Sequence, residues 1–574
     1  MLWTLALITV SVRLTSSVDG FIWLPSAQKH LLLNTAHRPG KLGVGYNRRN
    51  FEQQKTSERL QIEVNQRSEY DFIVVGGGTA GSVVASRLAE LRQWQILLVE
   101  AGSEWSNSDE QDWGLRAEPQ PDICFGAADK RCEIPQGKGL GGSTLTNSML
   151  YVRGNPADYD AWAAKLGNRD WSYRSLLPYF LKLENTRTNA TSLREDRGKG
   201  GPLPISGLRS RSPPLEAFLA ACNRHGLQTA DYNSDAMDTV GYVQLTRRCG
   251  KRITSADAYL RPVRTFFSNL HIMTDAMVAQ VLIDSRTKRA TGVVVTHRGI
   301  RREIRATKEV ILSAGPIFTP HLLLLSGIGP RAQLEAHSIP IVQELPVGVK
   351  MDLRAVSFPL HFETNRTLDH RAATKLEALA FVNLSPSMDP THEILFQYEP
   401  RGAGEYFSIG IIHLRPSSQG FLRLNEANPS SDPLVYANLF SNPNDMEEIL
   451  RGIRACLALV HGVEFERLGL KTRKLNVDPC RQLRYATNGY WRCVVRHGVR
   501  LAGQPTGTCP MGSRDDSKAV VSVELKVHGV EGLRIVDASV LLPVATGHSQ
   551  ATVYMVAEKA SDMIKSHWDW GNEL

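Results

Sequence analysis

The window from Tyr70 to Glu100 constrains the fold more than any other part of this 574-residue chain. Asp71-Phe72-Ile73-Val74-Val75 is a short apolar, β-branched run of the kind that forms a buried parallel strand. It passes directly into Gly76-Gly77-Gly78-Thr79-Ala80-Gly81, after which Val83, Val84, Arg87, Leu88 and Leu91 recur at helical spacing. A second apolar run, Gln95-Ile96-Leu97-Leu98-Val99, ends in Glu100. Strand, turn, helix and strand follow one another in about thirty residues. Gly76 allows the tight turn, Gly78 lets backbone approach a pyrophosphate, and Gly81 lets helix and strand pack closely. Thr79 and Ala80 open the helix, whose free N–H groups and positive dipole end suit phosphate oxygens. Glu100 stands 19 residues after Gly81, where a carboxylate accepts hydrogen bonds from ribose hydroxyls and disfavours a 2′-phosphate. The window specifies a dinucleotide site, and both FAD and NAD satisfy it.

The remainder of the chain is too long for one such unit, so further domains are expected. Lys and Arg exceed Asp and Glu by 67 to 58, a formal charge of +9, but the basic residues stand singly or in pairs such as Arg247-Arg248. With no basic run and no interleaved aromatic platform, nucleic acid is not an expected partner. Leu2 to Val12 is a short apolar run stopped by Arg13, with small residues at Thr15 and Ser17. It reads as a signal peptide over residues 1–18, and no stretch reaches the ~20 apolar residues of a membrane span. Sequons at Asn189, Asn365 and Asn383 agree with a glycoprotein that is secreted or held in the secretory lumen. Of eight cysteines, Cys124/Cys132 and Cys480/Cys493 are close pairs that could close short loops in an oxidising compartment. Cys222, Cys249, Cys456 and Cys509 read as buried thiols. No pair has CxxC spacing, so no metal site is expected.

A second glycine-rich block, Pro135-Gln136-Gly137-Lys138-Gly139-Leu140-Gly141-Gly142-Ser143-Thr144, precedes Asn147, Met149, Tyr151, Arg153 and Gly154. Later come Ser313-Ala314-Gly315-Pro316-Ile317-Phe318-Thr319-Pro320, Gly507-Thr508-Cys509-Pro510-Met511-Gly512 and Gly532-Leu533-Arg534-Ile535-Val536-Asp537-Ala538-Ser539. In these blocks the sequence, from about residue 70 to 565, resembles the glucose-methanol-choline (GMC) oxidoreductases. The resemblance implies an α/β fold in which a Rossmann-like FAD-binding domain is interleaved with an α+β substrate domain built on an antiparallel sheet. Its expected divisions are an extension over 19–69, the main FAD-binding part over 70–345, the substrate domain over 346–497 and a return to the FAD-binding domain over 498–566. Alternating segments at Glu393–Gln397 and Phe421–Leu424 suit the substrate sheet.

By the same resemblance the cofactor is FAD. Gly76, Gly78, Gly81 and Glu100 hold its ADP half, Gly141, Gly142 and Asn147 lie along the ribityl and flavin, Val278 meets the adenine side, and Asp537 with Ala538 returns to the flavin. Insect secreted members carry cysteines matching both close pairs, which implies two disulfides. The implied partners are a small-molecule alcohol and an electron acceptor, oxygen or a quinone, that these motifs do not specify.

The family oxidises alcohols by giving hydride to flavin N5 while a side chain, ordinarily the His of an HxxGTC block, accepts the hydroxyl proton. Here that position is Gln504, and the partner segment Thr546-Gly547-His548-Ser549-Gln550 places a histidine at the second position. A neutral amide orients an oxygen but does not abstract its proton. Three readings stand: His548 acts as acid or base while Gln504 orients substrate; positioning and flavin electronics alone support a slow or specialised reaction; or the chain is a secreted flavin-binding protein without turnover. A further departure is Lys350-Met351-Asp352-Leu353-Arg354, where the family has NLxDH near the flavin. The stretch between Gly102 and Asp112 is shorter than the family's cofactor cover, which suggests an entrance for an elongated alcohol. A terpenoid, retinoid or steroid alcohol, with hydroxyretinal chromophore metabolism as one instance, is the expected substrate.

Overall fold

In the computed structural model, residues 67–569 are described except for 105–110, 122, 187–196, 209–210, 235–237, 365–374, 386–388, 402–403 and 544–545. The leader, most of the extension, the sequons at Asn189 and Asn365, and the core of the shortened cover lie outside the described residues.

The chain builds two sheets. In the first, the expected strand spans Glu69–Val75 and lies between Ile300–Leu312 and Ile96–Val99, parallel to both. Leu270–Met273 extends the parallel set beyond Ile96–Val99, and Leu533–Ile535 adds to the far side of Ile300–Leu312. An antiparallel pair, Ala276–Asp284 and Arg289–His297, completes seven strands. Phe72, Ile73 and Val74 are wholly buried, as an apolar run covered on both faces requires. The helix Thr79–Ala89 and the long C-terminal helix Gln550–Asp569 pack together on this sheet, tied by Arg87 to the buried Glu558 carboxylate at 2.9 Å.

The second sheet has eight strands, antiparallel but for the short Gln228–Thr229 edge strand, and is centred on Ala355–Thr364, Gly404–His413, His392–Arg401 and Leu376–Val382. Strands Gln228–Thr229 and Thr239–Tyr242 join one edge and Arg500–Leu501 pairs with Ala355–Val356, so this sheet draws on residues before 346 and after 497. Helices Pro213–Arg224 and Pro443–Val460 cover one face. The other face turns Leu379, Phe381, Leu395 and Ile412 toward Leu150 and Val152, which follow the second glycine block. Phe421–Arg423 differs from expectation: it pairs with Leu434–Tyr436 in a separate two-stranded ribbon, and Leu422 and Leu424 bury in the core of the first sheet instead.

Both close cysteine pairs are disulfides, Cys124–Cys132 and Cys480–Cys493. Cys222, Cys456 and Cys509 are buried thiols, but Cys249 is exposed, placed by φ +50° in the tight turn between Arg247–Arg248 and Lys251–Arg252. Its surroundings are a surface hairpin rather than core, which an isolated cysteine in the sequence does not reveal. Among the described residues no helix is long and apolar enough to cross a membrane.

Candidate active site

The parallel strands of the first sheet all end on one side, where Val75 leads to Gly76, Val99 to Glu100, Leu312 to Ser313 and Ile535 to Asp537. Ligands of open parallel sheets bind beyond such carboxyl ends. Gly76 has φ +99°, and a Cβ there would lie 2.4 Å from the Ser313 carbonyl oxygen. A Cβ on Gly81 would lie 1.8 Å from the Gly76 carbonyl oxygen, so the close helix–strand packing read from the motif is literal. The helix that Gly78 opens has no side-chain cap and no acid in its first turn. Its leading N–H groups, those of Thr79 and Ala80 included, remain available to an anion.

The second glycine block folds back onto the first. Gly141 N–H donates to the Gly77 carbonyl at 2.8 Å, and a Cβ on Gly142 would come within 2.6 Å of Gly78 Cα. The Glu100 carboxylate is buried and accepts N–H groups from Gly77 (2.7 Å), Gly102 (2.8 Å) and Gly139 (3.2 Å). Burial pushes its pKa up and these three donors pull it back. A carboxylate offers about four lone-pair directions, so it keeps capacity for a ribose hydroxyl. Beside it, the buried Ser103 hydroxyl has no partner among the described residues. Bare backbone, an uncapped helix end, a buried acid and an orphan hydroxyl are the donor and acceptor set of an adenosine diphosphate moiety, and the residues present fit FAD.

Asp537 accepts from Gly315 N–H at 2.9 Å and from the Thr319 hydroxyl at 2.6 Å, while Ser539 N–H donates to its other oxygen at 2.8 Å. Burial raises its pKa as well. Ala538 accepts the Gly507 N–H through its carbonyl, joining two sequence blocks. Asn147 donates to Gln550 Oε1 at 2.6 Å, at the start of the C-terminal helix and two residues from His548. Val278 alone stands apart, facing Val295 in the antiparallel pair; the nearest link is Ala276, whose N–H donates to the Glu100 carbonyl.

Gln504 and His548 meet, although 44 residues separate them. The amide's orientation follows from its other partner: Ser549 N–H donates to Gln504 Oε1 at 2.8 Å, so Nε2 is the donor toward His548 Nδ1. With Nδ1 accepting, the ring proton sits on Nε2 and donates to Glu393 Oε1 at 2.9 Å. Glu393 is 1% exposed and projects from the apolar face of the second sheet, opposite to its neighbour His392. Both ring nitrogens are thereby engaged and the tautomer is set.

Glu393 and Arg354 are the residues that motif reading missed. A lone carboxylate within Glu393-Ile394-Leu395-Phe396 was the available signal, since a buried charge in a strand calls for a partner. Arg354 was noticed only as a departure from NLxDH. It donates from Nη1 to the Gly547 carbonyl at 2.5 Å, immediately before His548.

The GMC oxidoreductase patterns match residues 70–356 (N-terminal) and 416–557 (C-terminal). The chain is 36% identical over 563 residues to "Glucose dehydrogenase [FAD, quinone]" of Drosophila melanogaster, covering 90% of this chain and 89% of that one. It is 32% identical over 565 residues to the ecdysone oxidase of Bombyx mori, covering 87% and 82%. Among solved structures, the pyridoxine 4-oxidase from Mesorbium loti superposes with a TM-score of 0.76 at 27% identity, over 87% of this chain and 99% of that one. A formate oxidase gives 0.76 at 26%, over 88% and 99%.

Proposed function

This chain belongs to the GMC oxidoreductases, FAD-dependent oxidoreductases acting on alcohols, and from that premise we propose that His548 is its acid–base residue, with Gln504 and Glu393 setting the ring's tautomer and orientation. The observation that carries this reading is the chain of hydrogen bonds from Ser549 N–H through Gln504 and His548 to the buried Glu393 carboxylate. Bound FAD supplies the hydride acceptor. The protein's part is to hold the carbinol and take its proton. At rest His548 Nδ1 is occupied by the Gln504 amide, so an alcohol gains access to that lone pair by displacing one N–H of Gln504. The Glu393 carboxylate then steadies the imidazolium that forms, a neighbouring charge of the sign that favours it. Acid–base help of this kind is typically worth about 10²–10⁴-fold.

For the substrate we propose an elongated, largely apolar alcohol of the terpenoid, retinoid or steroid class, hydroxyretinal chromophores among them. Support comes from the setting of Glu393: Met149, Val356 and Phe358 form a partly accessible apolar border to the packed cluster of Leu379, Phe381, Leu395 and Ile412 on its face of the sheet. Such a wall rewards burial of hydrocarbon at about 25 cal/mol per Å². The ecdysone oxidase of Bombyx mori is a relative whose name records a steroid substrate. The two disulfides support passage through the secretory pathway. On this reading the protein is secreted or retained in its lumen.

The test is anaerobic flavin reduction by sugars, ecdysteroids and hydroxyretinoids, followed as bleaching of the visible flavin band. Rapid bleaching by one lipophilic class that slows in His548→Ala supports the proposal. Equal bleaching with and without His548 overturns its role. No bleaching by any alcohol despite stoichiometric FAD would instead favour a secreted flavin-binding protein without turnover.

A further inference from the structure

Arg354 is half-buried, held against the turn that leads into His548. Its guanidinium makes one hydrogen bond among the described residues, to the Gly547 carbonyl, and no ion pair within 4 Å. Each of the acids around it has another partner, although Asp158 Oδ2 and Asp352 Oδ2 accept no hydrogen bond among the described residues. Glu393 takes the His548 N–H, Asp158 pairs with Arg415 at 3.0 Å, and Asp352 pairs with Lys350 at 3.2 Å. A buried guanidinium ordinarily has its five N–H groups answered by carboxylates or carbonyls, because leaving them unmet forfeits their hydration without return. Burial accordingly lowers the pKa of Arg354, partly offset by the more distant Glu393, Asp158 and Asp352.

Position narrows what the free donors face. The strands carrying Arg354 and Gln504 pair at Asp352/Thr506 and again at Ala355/Leu501, and Ala502 N–H donates to the Arg354 carbonyl at 2.9 Å, so residues 503–505 bulge outward opposite Leu353, with Gly503 at φ +70°. Gln504 therefore lies in the bulge next to Arg354's own strand partner Ala502, and Gly547, whose carbonyl the guanidinium meets, immediately precedes His548. The guanidinium is thus anchored on the residue preceding His548, and the Glu393 carboxylate that takes the imidazole N–H is a nearby charge for Arg354 as well.

We propose that Arg354 binds the reacting oxygen of the substrate, supplying the fixed positive charge that a glutamine at position 504 does not. This rests on the reading of His548 as proton acceptor. The O–H bond breaks with its proton passing to His548 Nδ1, and the carbinol hydrogen leaves with two electrons for the bound FAD, so the alcohol becomes a carbonyl. The oxygen carries its largest negative charge as the proton departs. Preorganised N–H donors aimed at that charge in a water-poor space stabilise the transition state more than the neutral alcohol. The ligand class is an oxygen bearing partial or full negative charge, whether the developing alkoxide or a permanent carboxylate.

Acetate is the probe for the site itself. Titrated into FAD-loaded protein and followed by calorimetry and by the flavin's visible spectrum, acetate is expected to bind once. Arg354→Gln should weaken it at least about ten-fold, while Arg354→Lys retains part of the affinity. FAD content and melting temperature of both variants are measured alongside. Equal acetate affinity in the wild type and in a folded Arg354→Gln or Arg354→Lys variant, or no binding to the wild type, overturns the assignment. With any neutral alcohol that bleaches the flavin, Arg354→Gln should lower the limiting rate of reduction by roughly 10²-fold, leaving the half-saturating concentration little changed. An effect confined to half-saturation means that Arg354 reads a permanent anion away from the carbinol, and this also overturns the proposal. If no alcohol bleaches the flavin, the oxidase reading fails while the acetate result still judges Arg354; if alcohols bleach it and acetate ignores Arg354, only the Arg354 assignment fails.

Discussion

The dinucleotide-motif end and the proposed reaction end of this molecule are built on opposite plans. At the nucleotide end the contacts are made by backbone: Gly76, Gly81 and Gly142 sit where any Cβ would overlap main chain, and Glu100 is held by three N–H groups, one from its own loop and two from neighbouring ones. At the reaction end they are made by side chains brought from four distant places, Arg354, Glu393, Gln504 and His548. A site made of backbone tolerates almost no change in residue type, because its geometry has no slack. A site made of side chains can exchange an imidazole for an amide and recover function through a neighbour. The difference fits the intact glycine spacing of the first end and the glutamine at position 504 of the second.

The largest expected effect lies at the rigid end. Gly81→Ala places its methyl 1.8 Å from the Gly76 carbonyl oxygen, so strand and helix must separate, at a cost of about 3 kcal/mol or more. The flavin-to-protein ratio of the purified variant should fall close to zero. A normal ratio would break the contrast between the two ends. At the adaptable end, Glu393→Gln removes the charge beside His548 while leaving its shape. Flavin reduction by the best alcohol should slow about 10²–10³-fold with FAD content intact, and a variant that lost its flavin would show that the two ends are not separable.

Acid divides the halves differently. His413, on the helix-covered face of the substrate sheet, is pushed down to about 4 by burial and then by His392 beside it. Between its ordinary value of 6.5 and about 4 the unfolded chain holds a proton that the folded chain does not, so stability is present above that window and declines as pH falls through it. The loss at pH 5 should be roughly 2 kcal/mol as an upper bound. It would be read as a drop in melting temperature between pH 7.5 and pH 5 that His413→Gln reduces. Glu100 and Asp537 are shifted upward instead, so in the folded state they bind protons more tightly and their contribution declines as pH rises above the ordinary carboxylate range. Acid should therefore loosen the substrate sheet first, which hydrogen exchange at the two pH values would localise. The smallest effect belongs to Gln504→Asn. The shorter amide cannot span Ser549 N–H and His548 Nδ1 together, and flavin reduction should slow about ten-fold without change in FAD content.

Legibility in the sequence follows the same division. The strand Glu69–Val75, the helix Thr79–Ala89 and the strand Ile96–Val99 were read almost to the residue, because period, glycine spacing and the terminal acid all lie within one local window. Gln504 and His548 were named from their blocks, and the structure places them in contact. Glu393 was visible only as part of an alternating strand, since nothing local marks which apolar neighbour of a carboxylate will be a histidine 155 residues away. Phe421–Leu424 was assigned to the main sheet on its alternation, but strand period does not name a partner. Cys249 was placed in the core on residue type alone and lies on a surface turn.

What the sequence by itself determined was the dinucleotide unit and the family resemblance, because steric exclusion around a glycine is a property of the backbone within a few residues. Which side chains surround His548 was decided only by the tertiary structure. The pairing of Ala355–Val356 with Arg500–Leu501, and the placing of Glu393 on the face opposite His392, bring together groups whose interaction depends on distance through space. Electrostatic contacts of that kind leave no periodic trace along the chain.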